Sequence, residues 1–186
     1  LHTGRSRNDL FAAVVRIIIR EQLLSVVDAA LTLRQTILDR AATTDETVMP
    51  GYTHSQPAQP ITLGHYLCAF DHVLERDVAR LKQAYRRTNR SPLGAAALGG
   101  TGFELDRERL AELAGFDGIC QNTYEAVAAM DYVPEATSAL ASLMTNTSRL
   151  SRDLTEWSTY EFGFIEIDDS FATVSSIMPQ KKNAVV

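Results

Sequence analysis

The sequence predicts an all-α protein, a bundle of long antiparallel helices, and three observations predict it. Apolar residues recur at helical spacing over three stretches far longer than an ordinary globular helix, glycines and prolines gather between those stretches, and no run alternates long enough to build a sheet. With 186 residues, 45% apolar and 22% charged, the chain has material for a full core and not the composition of a disordered segment.

The first helical pattern starts at Asn8 and Asp9, both good N-cap types, and runs to about Ala42. Its apolar positions Leu10, Ile17, Leu24, Leu31 and Leu38 keep a strict seven-residue step without a Gly or Pro. Such a helix is roughly 50 Å long, so it needs partners of similar length. A second begins after Pro60 and ends near Asn89, with Leu67, Phe70, Leu74, Val78, Leu81 and Tyr85 on one face. Arg90 to Leu105 reads as a mobile or tightly turned loop, rich in glycine at Gly94, Gly99, Gly100 and Gly102, and leads into a short helix from about Asp106 to Ala114 closed by Gly115. A third long helix runs from about Tyr132 to Phe162 on Leu140, Leu143, Thr147, Leu150, Leu154 and Trp157, and Phe164 to Ile167 is a candidate extended piece. No repeat or linker divides residues 1–186. The chain opens on Leu1 and halts just after a polar loop, which reads as one helical domain within a longer polypeptide.

Several classes are disfavoured. No stretch approaches the roughly 18 apolar residues that cross a bilayer, and no secretory leader precedes the first helix. A soluble, cytoplasmic protein without membrane partners is expected. A net charge of −5 lacks the basic face of a nucleic-acid binder, and the short cluster Arg86, Arg87 and Arg90 reads as a solvated helix end. Cys68 and Cys120 are far apart and lack ligand spacing, so reduced, packed thiols are expected. His65 and His72, seven apart with no third ligand, read as structural.

Candidate chemistry sits where the apolar periodicity breaks. His2 to Asp9 joins hydroxyls, an amide and guanidinium groups to the positive end of a helix dipole, a setting suited to carboxylate or phosphate. Taken alone it is equally well read as a capped, solvated helix start. Met49 to Pro60 is stiffened by Pro50, Pro57 and Pro60, and presents Thr53, His54, Gln56 and Gln59 with little entropy left to lose. Ser175 to Asn183 places adjacent serines beside Lys181, Lys182 and Asn183, a nucleophile or base next to cationic and amide donors, without a Gly-x-Ser-x-Gly elbow. Gly100 and Gly102 match neither a dinucleotide fingerprint nor a P-loop.

Together these segments resemble the three separated motifs of the fumarase/aspartase superfamily, and within it are most similar to the argininosuccinate lyases. His2 to Asp9 is similar to the first motif, Gly51 to Ile61 to the second and Ser175 to Asn183 to the third, with Ser91-Pro92-Leu93-Gly94 and Gly115-Phe116-Asp117-Gly118 matching in order between them. The resemblance implies the central helical domain of a homotetramer with active sites shared between subunits. It also implies a small-molecule substrate, reversible elimination of argininosuccinate to fumarate and arginine, and no metal or organic cofactor. By the same resemblance Ser175 is the base, aided by Lys181. His54 orients substrate or assists protonation of the leaving nitrogen. Ser6, Arg7, Asn8, Thr53, Gln56, Ser176 and Asn183 bind substrate, and Met178 packs beneath the third loop. The chain departs from the argininosuccinate lyase pattern at Leu10, Ser55, Pro57, Met130, Val174 and Ala184. These changes leave open a related carbon–nitrogen lyase acting on another N-substituted aspartate, such as an aminopolycarboxylate. An inactive, crystallin-like scaffold is the alternative of a different class.

Overall fold

A computed structural model describes residues 2–184, and the long helices stand where the apolar periodicity put them. Helix α1 spans Arg7–Ala42, α2 Leu63–Thr88 and α5 Tyr132–Trp157; α3, Arg107–Leu113, and α4, Thr123–Ala128, are short. The last of these is new relative to the sequence reading. Asn122 caps it by accepting the Glu125 N–H, but six residues are too few for a periodic pattern to register.

The packed pair is α1 with α2, antiparallel. The α2 stripe Leu67, Phe70, Leu74, Val78 and Leu81 is buried, with Tyr85 half-buried. The buried side of α1 is Ala12, Ala13, Leu23, Val27, Ala30, Ile37 and Ala41. At one end Gly64 approaches so closely that a Cβ there would lie 2.8 Å from the Ala41 carbonyl oxygen. Midway, Arg34 donates to both oxygens of the buried Asp71, at 2.7 and 3.1 Å. At the other end Arg16 Nη1 donates to the carbonyls of Arg87 and Thr88, at 3.1 and 3.2 Å. The seven-residue series of α1 lies elsewhere: Leu10, Leu24, Leu31 and Leu38 are 38–49% exposed, and Ile17 is half-buried. So α1 is apolar on two faces, of which the described residues cover one.

Apart from α3, Asn89 to Gln121 is irregular but firmly held. Ser91 pairs with Ile119 as a parallel bridge, the Ser91 N–H donating to Gly118 O at 2.7 Å and the Cys120 N–H to Ser91 O at 2.8 Å. Arginine side chains satisfy the carbonyls left over. Arg20 donates to Asn89 Oδ1, Gly115 O and Ala114 O at 2.8, 2.6 and 2.8 Å, and its guanidinium lies 4.7 Å from the centre of the Phe116 ring. Arg90 donates to Ile119 O, and Arg107 to Leu93 O and Cys120 O. Arg90 is therefore half-buried and not part of a solvated helix end. Arg86 and Arg87 are exposed, the latter paired with Glu135. Two small cores fill in beneath, Ala13 with Ala111, Phe116 and Ile119, and Ala95 with Cys120 and Ala126.

Two short ladders interrupt the helices. Strands β1, Val48–Thr53, and β2, Gln56–Thr62, form an antiparallel hairpin where a stiff loop was expected. Strands β3, Ala172–Val174, and β4, Lys182–Ala184, pair around the third motif. Helix α5 stops at Trp157 rather than Phe162. The chain turns back through Gly163 at φ +58°, the Phe164 N–H donates to Trp157 O at 2.9 Å, and the two rings meet at 6.4 Å. Phe164 to Ile167 lies outside any strand. The chain forms two compact units, Leu1–Ser142 and Leu143–Val186. Among the described residues no helix is long and apolar enough to cross a membrane.

Replacing Arg20 by Met should cost on the order of 2 kcal/mol, because the buried Asn89 amide and the half-buried Ala114 carbonyl lose a charged donor. The exposed Arg152 to Met should cost under about 0.5 kcal/mol. Urea unfolding of the two variants checks the difference.

Candidate active site

Three polar segments carry the candidate residues, and each is held by a different local device. The first is a helix start. Ser6 is the N-cap of α1: its Oγ accepts the Asn8 N–H at 3.2 Å, and Asp9 Oδ1 accepts the Ser6 N–H at 3.1 Å, closing a capping box. The cap is Ser6 and not Asn8 or Asp9 because Ser6 has an acidic partner three residues on. Asp9 is only 1% exposed, and its Oδ2 accepts the N–H groups of Gly94 and Ala96 at 3.2 and 3.0 Å. Asn8 Nδ2 donates to Ala97 O at 3.1 Å. The loop after Pro92 therefore lies against the first motif, a neighbour that sequence spacing does not reveal. Arg5 pairs with the His2 ring, while Arg7 is exposed and makes no ion pair among the described residues.

The second segment is the β1–β2 hairpin, with His54 and Ser55 as its two-residue turn. Both have left-handed backbones, φ +52° and +59°, as a type I′ turn requires, although neither is the Asn or Gly such turns favour. Each left-handed non-glycine residue costs about 1–2 kcal/mol. Thr53 and Gln56 face each other as the last pair of the ladder, so Thr53, His54 and Gln56 are presented together and exposed at the tip. Three prolines concealed this hairpin, since proline argues against a paired strand. An open recess of about 410 Å³ at its base is lined by Val48, Pro60, Ile61, Thr62 and His65, and by none of the candidate residues. His65 and His72 are exposed on α2.

The third segment closes the β3–β4 ladder. Thr173 pairs with Asn183 and Val174 with Lys182, and the register continues one step further, the Ser175 N–H donating to Lys181 O at 3.2 Å. Residues directly opposite in an antiparallel pair share a face, and faces alternate along a strand. Thr173 and Asn183 share one face and Val174 and Lys182 the other; carried one step beyond the strands, the alternation assigns Ser175 and Lys181 to the face of Thr173 and Asn183. Lys182 is committed to Asp169, whose hydrogen bond and charge push the ammonium pKa up. Lys181 makes no ion pair among the described residues. Ser175 Oγ accepts the Met178 N–H at 3.3 Å, so a fixed backbone dipole points at the hydroxyl oxygen. Met178 meets Ser175 through that N–H. Its side chain is 42% exposed and is not packed beneath the loop as expected. Ser176 is exposed beside it, and Asp168, held below its usual range by hydrogen bonds from Ser170, caps the turn at Asp169–Phe171.

The first and second motifs stand at opposite ends of α1, whose 36 residues span about 54 Å, so they do not meet within one chain. The third belongs to the other unit. No group of three His, Cys, Asp or Glu suited to a metal occurs among the described residues.

The family described as lyase matches residues 1–186. The argininosuccinate lyase of Natronomonas pharaonis is 53% identical over 98% of this chain and 37% of its own length. That of Methanosarcina barkeri is 50% identical over the same shares, and argininosuccinate lyase 1 of Shouchella clausii is 48% identical over 100% of this chain and 37% of its own. Among solved structures, EDDS lyase in complex with formate superimposes with a TM-score of 0.96 at 46% identity, over 98% of this chain and 37% of that one. An EDDS lyase variant with bound fumarate matches equally well. The chain thus spans a little over a third of these relatives.

Replacing Ser55 by Gly should stabilise the hairpin by about 1 kcal/mol, because glycine adopts φ +59° without strain. A raised unfolding midpoint checks it.

Proposed function

The chain belongs to the lyase family of the fumarase/aspartase superfamily, and from that premise we propose that it is the central helical part of a longer carbon–nitrogen lyase that converts argininosuccinate to fumarate and arginine. The observation that carries this reading is the Ser175 N–H to Lys181 O bond that continues the β3–β4 ladder, with the Met178 N–H on Ser175 Oγ.

The reaction breaks a C–H bond beside a carboxylate. Ser175, as alkoxide, takes the Cβ proton, and the C–H electron pair is held on the neighbouring carboxylate as a doubly charged aci-form. It then forms the C=C bond of fumarate as the C–N bond breaks, and the departing nitrogen leaves protonated. A serine hydroxyl is a weak base at neutral pH, so its alkoxide needs preorganised positive potential. The Met178 N–H already points at Ser175 Oγ, and Lys181 lies across the ladder. One cation at ~4 Å and effective ε ~20 is worth on the order of 4 kcal/mol, roughly a thousandfold in rate if felt only in the transition state. Asn183 and Ser176 hold the substrate carboxylate at this loop. Ser6, Arg7 and Asn8 at the α1 start clamp a carboxylate, and the hairpin tip offers Thr53, Gln56 and His54, the last orienting substrate or assisting protonation of the leaving nitrogen.

The site assembles from several copies in a homotetramer. The supports are the ~54 Å between the first two motifs and the uncovered stripe of Leu10, Leu24, Leu31 and Leu38 on α1. A substrate with another amine, an aminopolycarboxylate, is the second reading. It is favoured by Ser55 and Pro57 beside His54 and by the likeness to EDDS lyase.

Ultraviolet absorbance of fumarate tests the proposal on the full-length protein. Turnover of argininosuccinate supports the first reading, turnover only of another N-substituted aspartate selects the second, and silence on both leaves an inactive scaffold. Ser175→Ala and Lys181→Met should each lower kcat by about a thousandfold or more while the assembly persists. Lys182→Met should keep kcat within about threefold, and equal losses from both lysines would overturn the facing assigned to them.

A further inference from the structure

We propose that Asp9 is a positioning residue: its buried carboxylate locks Ser6, Arg7 and Asn8 to the Gly94–Ala97 loop, so that the two form one preorganised surface for a substrate carboxylate. The inference rests on the reading above, in which Ser6, Arg7 and Asn8 bind that group.

A carboxylate that is 1% exposed must be fully satisfied to be tolerated. Asp9 takes part in no ion pair among the described residues. Its partners are three backbone N–H groups, Ser6 on one oxygen and Gly94 and Ala96 on the other, at 3.1, 3.2 and 3.0 Å. Capping α1 needs only the Ser6 bond. The second oxygen is committed to a loop distant in sequence, and that loop is bent to reach it, for Ala96 holds φ +52°, a backbone that residues with a side chain rarely adopt. Asn8 grips the next residue through Ala97 O. Gly94, at φ +81°, is itself pressed against Arg107, where a Cβ would lie 2.7 Å from Cγ. The loop is thus anchored on one side by Arg107 and on the other by Asp9. Because Asp9 is buried behind the motif, it acts through Ser6, Arg7 and Asn8 and does not itself touch substrate.

The test uses the full-length protein. Asp9→Asn is the same size, but its amide offers one acceptor oxygen and turns an NH₂ toward an N–H donor. Loss of these bonds should raise KM about tenfold with kcat within about threefold, since the proton-abstracting groups are untouched. Asp71→Asn, which weakens the pair with Arg34 away from all three motifs, should lower the unfolding temperature and leave KM alone. A folded Asp9→Asn enzyme with KM within about twofold of wild type overturns the proposal. Should that variant fail to fold, hydrogen exchange on the wild type decides: fumarate should slow exchange in peptides covering 5–9 and 94–97 together, and slowing confined to 5–9 overturns it. A wild type that neither releases nor binds fumarate removes the underlying reading and this inference with it, a result distinct from an active enzyme in which the variant behaves as wild type.

Discussion

Backbone carbonyls that neither helix nor sheet can satisfy set the terms of this fold. From the last turn of α2 to α4 the chain is irregular apart from α3 and is buried in part, and each buried carbonyl there needs a donor. Arg16, Arg20, Arg90 and Arg107 supply them, and several donate from more than one position or to more than one carbonyl. Lysine would not substitute, because its compact ammonium lacks the planar fork that reaches neighbouring acceptors at fixed angles. The glycines complete the device: a Cβ at Gly118 would lie 2.9 Å from Arg90 Nη1, so the guanidinium can lie flat only where a side chain is missing. This clamp holds the loop that Asp9 grips.

The long helices were legible because each carries many turns of apolar periodicity, and a stripe such as Leu67 to Leu81 leaves little room for another reading. The β1–β2 hairpin was not. Pro50 pairs with Pro60, Pro57 opposes Tyr52, and the turn is His-Ser instead of Asn-Gly, so these local cues spoke against the strands that form. Three-residue strands such as β3 and β4 are below what alternation can signal. The candidate residues were legible from the company they keep along the chain, but their facing was not. Only the register separates Lys181, whose backbone carbonyl accepts the Ser175 N–H, from Lys182, whose side chain binds Asp169.

The three motifs share a design logic. Each sits at the end of a regular element, where unsatisfied backbone groups are available and side chains are fixed by their own local bonds. Ser6 and Asp9 lock the start of α1, the strained turn fixes His54, and Met178 and Lys181 close the loop around Ser175. Rigid placement of polar groups ahead of substrate is what electrostatic catalysis requires, since dipoles already oriented need not reorganise as charge develops.

The burial of Cys120 has a practical consequence. Its thiol is enclosed with Ala95 and Ala126 beneath the arginine clamp, and burial pushes its pKa up against the pull of Arg16. Cys68 on α2 is half-buried. A maleimide or iodoacetamide reagent thus meets two unlike sulfurs, one half-buried and one buried, the second needing the larger opening fluctuation. The slower alkylation makes Cys120 an internal clock for how often the clamp loosens.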